Sequence, residues 1–161
     1  MIVISDSTPL NILVRIELID VLPTLYTRVV IPTAVHSELT HANTPAEVRL
    51  WAATPPAWLE VRRPSHVEPF GRKGRGEREA ISLARELNAD LLLVDDRDAA
   101  RTAKGLGLVT VGTLGILELA SARGLCPLAE STARLSKTDF FIDDQLIKLA
   151  LERDHERGRE R

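Results

Sequence analysis

Hydrophobic residues along this chain fall into short continuous runs, separated by longer stretches in which they recur at helical spacing. The runs are rich in Val, Ile and Leu, which is typical of strands buried on both faces of a parallel sheet. Two of them stop abruptly at acidic residues, one at Asp6 and one at Asp95-Asp96. The predicted strands are, in chain order, 2–5, 29–31, 58–61 (an edge strand), 90–94 and 108–111.

The stretches between the runs have apolar residues spaced so that they share one face of a helix. The first predicted helix begins after Ser7-Thr8-Pro9, which offers capping oxygens and a proline suited to a first turn, and continues to Leu22, before Pro23. Further helices are predicted to begin at Pro32, near Pro45, at Glu77, after Asp96 and at Thr113, and residues 127–157 are predicted to be mostly helical.

Strands that alternate with helices predict a three-layer α/β/α fold with a central parallel sheet of four to five strands and right-handed crossovers. The length of 161 residues suits one domain. We expect residues 1–126 to form the sheet domain and residues 127–161 to be a helical extension and charged tail of the same domain.

Composition excludes several classes of protein. The net charge of −2 and the pI near 6.1 give no global signature of nucleic-acid binding, so any such binding must use a local patch. Cys126 is the only cysteine, so the chain cannot form an internal disulfide. The start does not resemble a signal peptide, because Asp6 interrupts its short apolar run. No apolar run approaches the roughly 20 residues that a membrane-spanning helix needs. We therefore expect a cytoplasmic protein that does not enter the membrane.

Acidic residues supply the candidate chemistry. Ligands bind at the carboxyl ends of the strands in sheets of this kind, and the acids either follow a strand or lie on a helix beside one. Two carboxylates about 4 Å apart repel by roughly 4 kcal/mol at an effective dielectric near 20, so a cluster needs a cation, and oxygen ligands suit Mg²⁺ or Mn²⁺. The leading candidates are Asp6, Glu38, Glu77 and Asp96, with Asp95, Glu79 and Asp98 as near neighbours.

Each acid also has a purely structural interpretation. Asp6 and one of Asp95-Asp96 can cap the helix that follows, and Glu77 and Glu79 can be favourable charges in a first helical turn. The capping oxygens of Ser7 and Thr8 lead us to favour a metal role for Asp6. Zinc is not expected, because the histidines show no metal-ligand spacing and Cys126 has no partner motif.

A basic loop rich in Pro and Gly spans residues 62–76, directly before Glu77. Its positive charges suit phosphate contacts, although a solvated surface loop explains them nearly as well. Together with one hydroxyl and one arginine that follow the candidate acids, it supplies the candidate substrate contacts Ser7, Arg72, Lys73, Arg75 and Arg97.

Four segments follow one another along the chain: Ile4-Ser5-Asp6-Ser7-Thr8-Pro9-Leu10, then Ile31-Pro32 to Glu38-Leu39, then Gly76-Glu77 to Ala84, and Leu92-Leu93-Val94-Asp95-Asp96-Arg97. In this order they resemble successive motifs of the PIN domain, and within it a prokaryotic branch related to VapC toxins. The run from Gly112 to Leu117 also fits that branch. The resemblance covers residues 1 to about 126.

This resemblance implies a Mg²⁺- or Mn²⁺-dependent ribonuclease whose metal-binding acids match Asp6, Glu38, Glu77 and Asp96. It also implies an RNA substrate, a homodimer and, for a toxin, a small antitoxin partner. The sequence departs from the family pattern at Glu77, where aspartate is usual, and at Val94-Asp95-Asp96, where threonine or serine often precedes the last acid. Two choices of ligand therefore stay open: Asp95 or Asp96, and Glu77 or Glu79.

Two other functions fit the same residues. A small metal-dependent phosphatase would use Asp6 as a covalent nucleophile, but no second aspartate stands two residues later. A non-catalytic module for RNA or protein binding would keep the fold, and the intact acidic series argues against it.

Overall fold

The computed structural model describes residues 1–160, and its centre is a five-stranded parallel sheet. The strands lie in the order β3-β2-β1-β4-β5, with all five within about two residues of the predicted positions. Their bounds are β1 (Val3–Ser5), β2 (Val29–Pro32), β3 (Leu59–Arg62), β4 (Leu91–Leu93) and β5 (Thr110–Val111).

Helices connect the strands, and further helices follow the last strand along the chain. The prediction that residues 127–157 are mostly helical is confirmed, with a non-helical segment at 137–143. The helices are α1 (Ser7–Arg15), α2 (Val21–Tyr26), α3 (Thr33–Leu39), α4 (Ala46–Ala53), α5 (Arg75–Glu86), α6 (Arg97–Gly105), α7 (Thr113–Ala122), α8 (Leu128–Ser136) and α9 (Asp144–Glu160).

The prediction of one helix from Leu10 to Leu22 is wrong. Helix α1 ends in a Schellman motif, in which the amide of Leu18 donates to Leu13 O at 2.8 Å and Glu17 adopts a positive φ of 62°. Pro23 then lies inside α2 instead of before it. Its missing N–H costs nothing there, because the amides of a first turn have no partner within the helix.

Both faces of the sheet are buried, as the apolar runs predicted. Helices α5 and α6 cover the face that carries Ile4, Val30 and Leu92. Right-handed crossovers place the β1-to-β2 and β2-to-β3 connections on the other face, which carries Val29 and Leu93. The architecture is therefore a three-layer α/β/α fold.

The chain divides into two compact units, Met1–Gly112 and a second one that begins at Thr113. The first holds the sheet and α1 to α6, and the second holds α7, α8 and α9. Among residues 1–160, no helix is long and apolar enough to cross a membrane. The boundary near residue 126 stays a prediction.

Candidate active site

The strand order places β1 beside β4, and their connections leave in opposite directions. Strand β1 leads through α1 to β2 on one side, whereas β4 leads through α6 to β5 on the other. Such a switch point opens a crevice at the carboxyl ends of the strands. Asp6 follows β1, and its amide donates to Leu93 O of β4 at 2.9 Å, so this acid lies at the mouth of the crevice.

Asp6 is a buried carboxylate without the capping role that its position suggests. It stands at the N-cap of α1, yet its side chain caps no amide of that helix. It is 4% exposed, and its Oδ1 has no hydrogen-bond partner. Burial raises the pKa of Asp6 to about 7, assisted by the charges of Glu38, Glu77 and Asp95 and opposed by the Ser7 amide. The protein keeps an acid here at an energetic cost.

Glu38 connects three helices at this edge. It lies in the last turn of α3, its Oε2 accepts a hydrogen bond from Ser7 Oγ of α1 at 2.6 Å, and its Oε1 accepts one from the Gly76 amide of α5 at 3.1 Å. Both carboxylate oxygens are therefore oriented by other elements, although the residue is exposed to solvent. Ser7, a candidate substrate contact, donates to Glu38 in this structure.

Glu77 and Glu79 have different surroundings although both lie in the first half of α5. Burial raises the pKa of Glu77, as do Asp96 and Glu38, while the Gly74 amide and Lys73 oppose this increase. Glu79 faces α3 instead, where its Oε1 accepts from the Ala34 amide at 3.0 Å and from Thr33 Oγ1 at 3.1 Å.

The second oxygen of Glu79, Oε2, pairs with Arg75 Nε at 3.0 Å. Burial alone would raise the pKa of Glu79, but the bonds from Ala34, Arg75 and Thr33 together lower it below its ordinary value. Glu77, by contrast, acts electrostatically on Asp6 and raises its pKa.

Asp95 and Asp96 also differ. Asp96 caps α6, because its Oδ2 accepts from the Ala99 amide at 2.8 Å, so the structural interpretation holds for this residue. Its charge also acts on Glu77. Asp95 is half-buried, and its charge acts on Asp6.

The predicted substrate contacts surround the acids unevenly. Arg72 and Arg97 are exposed. Arg75 is paired with Glu79, and its side chain is 77% exposed. The Lys73 side chain is only 8% exposed, and its Nζ donates to Asp98 Oδ2 at 3.0 Å and to the Phe70 carbonyl. Lys73 thereby ties the basic loop to the start of α6.

Two glycines at this edge are part of the site, although neither was predicted as a site residue. A Cβ on Gly76 would overlap the carboxylate of Glu38, and one on Gly112 would lie 2.9 Å from Asp95 Oδ1. Their signal in the sequence is that each begins a segment that resembles a PIN-domain motif: Gly76 directly precedes Glu77, and Gly112 directly follows β5.

The donor set suits a hard divalent cation in its chemistry. The acids offer only oxygen atoms, and the buried, unpartnered Oδ1 of Asp6 lacks what a cation would supply. However, among residues 1–160 no three His, Cys, Asp or Glu side chains form a group that could hold an ion as they stand. The acids therefore share one electrostatic environment, but their side chains are not in a coordinating arrangement.

A search of curated proteins finds no significant match. Among solved structures, the chain is similar to a PilT N-terminus domain protein from the hyperthermophilic archaeon Sulfolobus solfataricus P2, with 22% identity, a TM-score of 0.49, and coverage of 88% of this chain and 100% of that one.

A family model described as a PIN domain matches residues 2–156, nearly the whole chain. PIN domains are generally nucleases. The protein belongs to this family, DUF3368, and has its nuclease-type fold.

Proposed function

We propose that the protein is a Mg²⁺- or Mn²⁺-dependent endoribonuclease that hydrolyses RNA phosphodiester bonds. The observation that carries this proposal is Asp6, a buried acid with an unpartnered oxygen at the mouth of the switch-point crevice. Glu38, Glu77 and Asp95 all raise its pKa, so four acids from separate parts of the chain act on one place. An arrangement this costly without a cation is expected where a cation is part of the function.

Asp6, Glu38, Glu77 and one or both of Asp95 and Asp96 would hold the ion. When bound, a divalent cation neutralises these acids, activates the attacking water and stabilises the charge that develops on the phosphate. The protein orients two of these acids: β1 and β4 fix the backbone at Asp6, while the Ser7 hydroxyl and the Gly76 amide orient Glu38. No protein nucleophile is needed.

The exposed arginines would contact the RNA backbone. Arg72 and Arg75 belong to the segment just before Glu77, and Arg97 begins the helix just after Asp96. Lys73 contributes by keeping that segment next to α6, through its pair with Asp98. These positions suit positioning of phosphates, which carries no base specificity.

The toxin role, the antitoxin partner and the homodimer are further parts of the proposal. They depend on the resemblance to VapC-related proteins alone. Induced expression with and without a neighbouring small open reading frame tests the toxin role, and light scattering on the purified protein tests the dimer. Growth arrest relieved by the small frame would support a toxin, and unaffected growth would count against one.

Cleavage assays test the ribonuclease directly. End-labelled structured RNA, unstructured RNA and single-stranded DNA are each incubated with wild-type protein in Mg²⁺, Mn²⁺ or EDTA. Asp6→Asn is compared with Asp20→Asn, because Asp20 is also an N-cap aspartate whose side chain caps no amide, but it is exposed. We expect metal-dependent RNA cleavage that Asp6→Asn abolishes and Asp20→Asn preserves. Equal cleavage by both variants would remove the proposed site.

A further inference from the structure

We infer that Glu79 is a positioning residue that sets the spacing between the helix that carries Glu38 and the helix that carries Glu77. This inference rests on the proposed function, since it concerns the same acids. Glu79 is 3% exposed and lies on α5, two residues after Glu77. Its side chain does not join the acids around Asp6 but reaches the beginning of α3.

The side-chain hydrogen bonds of Glu79 join it to another helix and to the first residue of its own helix. Oε1 accepts from the Ala34 amide and from Thr33 Oγ1, which are the first two residues of α3. Oε2 takes the Arg75 guanidinium, from the first residue of α5. One carboxylate therefore joins the start of α3 to the start of α5.

Glu38 lies at the other end of the same short helix. Its Oε1 accepts a hydrogen bond from the Gly76 amide, so α3 and α5 are also joined at this end. Here the donor lies on α5 and the acceptor on α3, which is the reverse of the bonds that Glu79 accepts from α3. Hydrogen bonds at both ends of α3 resist its sliding or rotating against α5, and they restrain the position of Glu38 relative to Glu77. Small displacements matter, because a shift of about 1 Å at a catalytic group can cost about 100-fold in rate.

Two conservative variants separate positioning from metal binding. Glu79→Gln keeps the length and an acceptor oxygen for Ala34 and Thr33, but loses the charge. Glu79→Asp keeps the charge and two hard oxygens, but is one methylene too short to span the gap. A positioning role predicts that Glu79→Gln retains more cleavage activity and Mn²⁺ affinity than Glu79→Asp, whereas a ligand role predicts the reverse.

The first measurement is amide hydrogen exchange on the metal-free proteins. We expect Glu79→Asp to accelerate exchange at Ala34 and also at Gly76, although Gly76 bonds to Glu38 and not to Glu79. Glu79→Gln should leave both nearer to wild type. Glu86→Gln is the control, because Glu86 is an exposed glutamate of the same helix whose side chain accepts a hydrogen bond from the Ser65 amide instead of from α3.

The second measurement is activity together with Mn²⁺ affinity by calorimetry. We expect Glu79→Asp to lower kcat about 10- to 100-fold and to weaken Mn²⁺ binding by a similar factor, with the KM for RNA within about twofold. Unchanged exchange at Gly76 in Glu79→Asp would overturn the inference. Higher activity and Mn²⁺ affinity in Glu79→Asp than in Glu79→Gln would overturn it as well. If wild type neither cleaves RNA nor binds Mn²⁺, the proposed function fails, and the exchange data still decide whether Glu79 holds α3 against α5.

Discussion

The Gly76 amide donates to Glu38 Oε1 across 3.1 Å, and any side chain at position 76 would overlap that carboxylate. An alanine Cβ there would lie 2.7 Å from Glu38 Cδ, so the glutamate has to move. Because Glu38 is a long, exposed side chain, it can swing away at little cost to folding. Gly76 therefore allows the Glu38 carboxylate to lie against the start of α5.

Gly76→Ala should separate activity from stability. We expect activity to fall about 10- to 100-fold while the melting temperature changes by no more than a few degrees. The matched control is Gly74→Ala, since Gly74 is the N-cap of the same helix and its added Cβ would meet nothing within 4 Å. Full activity in Gly76→Ala would show that the bond to Glu38 is irrelevant to the reaction.

Asp6→Asn should stabilise the protein in EDTA while abolishing cleavage. At pH 8, where Asp6 is ionised, the substitution removes a buried charge whose neighbours Glu38, Glu77 and Asp95 repel it, and it keeps the volume of the side chain. Each 1 kcal/mol gained raises the melting temperature by roughly 2–4 °C in a domain of this size. Differential scanning calorimetry measures this, with Asp20→Asn as the neutral comparison. A melting temperature lower than that of wild type would mean that the Asp6 carboxylate stabilises the fold.

Asp6 also predicts how stability depends on pH in the metal-free protein. Burial, followed by the nearby acids, raises its pKa from 3.8 to about 7, so between these values the folded state holds a proton that the unfolded state has released. The folded state binds more protons, and this contribution to stability is lost as the pH rises from about 4 to about 7 and is then constant.

The difference in melting temperature between Asp6→Asn and wild type isolates this contribution, because other groups such as Glu79 titrate in both proteins. We expect the difference to grow from pH 4.5 to pH 7 and to level off above. A difference that does not vary with pH would contradict the raised pKa. Adding Mn²⁺ should stabilise wild type more at pH 8 than at pH 5.5, since the ion competes with the proton for the same oxygens.

Most of the fold follows from local sequence patterns, but these patterns do not show which acids lie at the site and which have structural roles. Apolar runs that end at Asp6 and at Asp95-Asp96 identify two parallel strands, and the general topology of such sheets brings their ends together. The role of Glu79 depends on its distance from Ala34, 45 residues away, which no periodicity encodes. The break after α1 was missed for a similar reason, since a glutamate at position 17 rarely signals a left-handed turn.

Arg72 should contribute to RNA affinity through charge alone. Arg72 is exposed and lies in the segment that precedes Glu77. If it contacts one phosphate of a single strand, Arg72→Ala should weaken binding equally for different sequences and reduce the slope of log K against log salt by about 0.7. Arg28→Ala is the control, because Arg28 is an exposed arginine at the opposite, amino end of the strands. Equal slopes for the two variants would exclude this contact.

Asp96 requires a pair of substitutions, because it caps α6 and is also a candidate ligand. Asn at this position still offers an oxygen to the Ala99 amide, whereas Ala does not. Asp96→Ala should therefore lose about 1 kcal/mol of stability, and Asp96→Asn only a few tenths. If Asp96 also holds the ion, both variants should lose cleavage to a similar extent despite their different stabilities.

Asp95→Asn completes the comparison between the two adjacent acids. Asp95 acts electrostatically on Asp6 and Asp96 acts on Glu77, so both can contribute to one site. Thermal denaturation in EDTA and Mn²⁺ titration of the three variants separate the cases. Asp96→Asn with full Mn²⁺ affinity, beside an Asp95→Asn that binds poorly, would make Asp95 the ligand and leave Asp96 as a helix cap. The reverse result would require Asp96 to bind the ion through the oxygen that does not accept from Ala99.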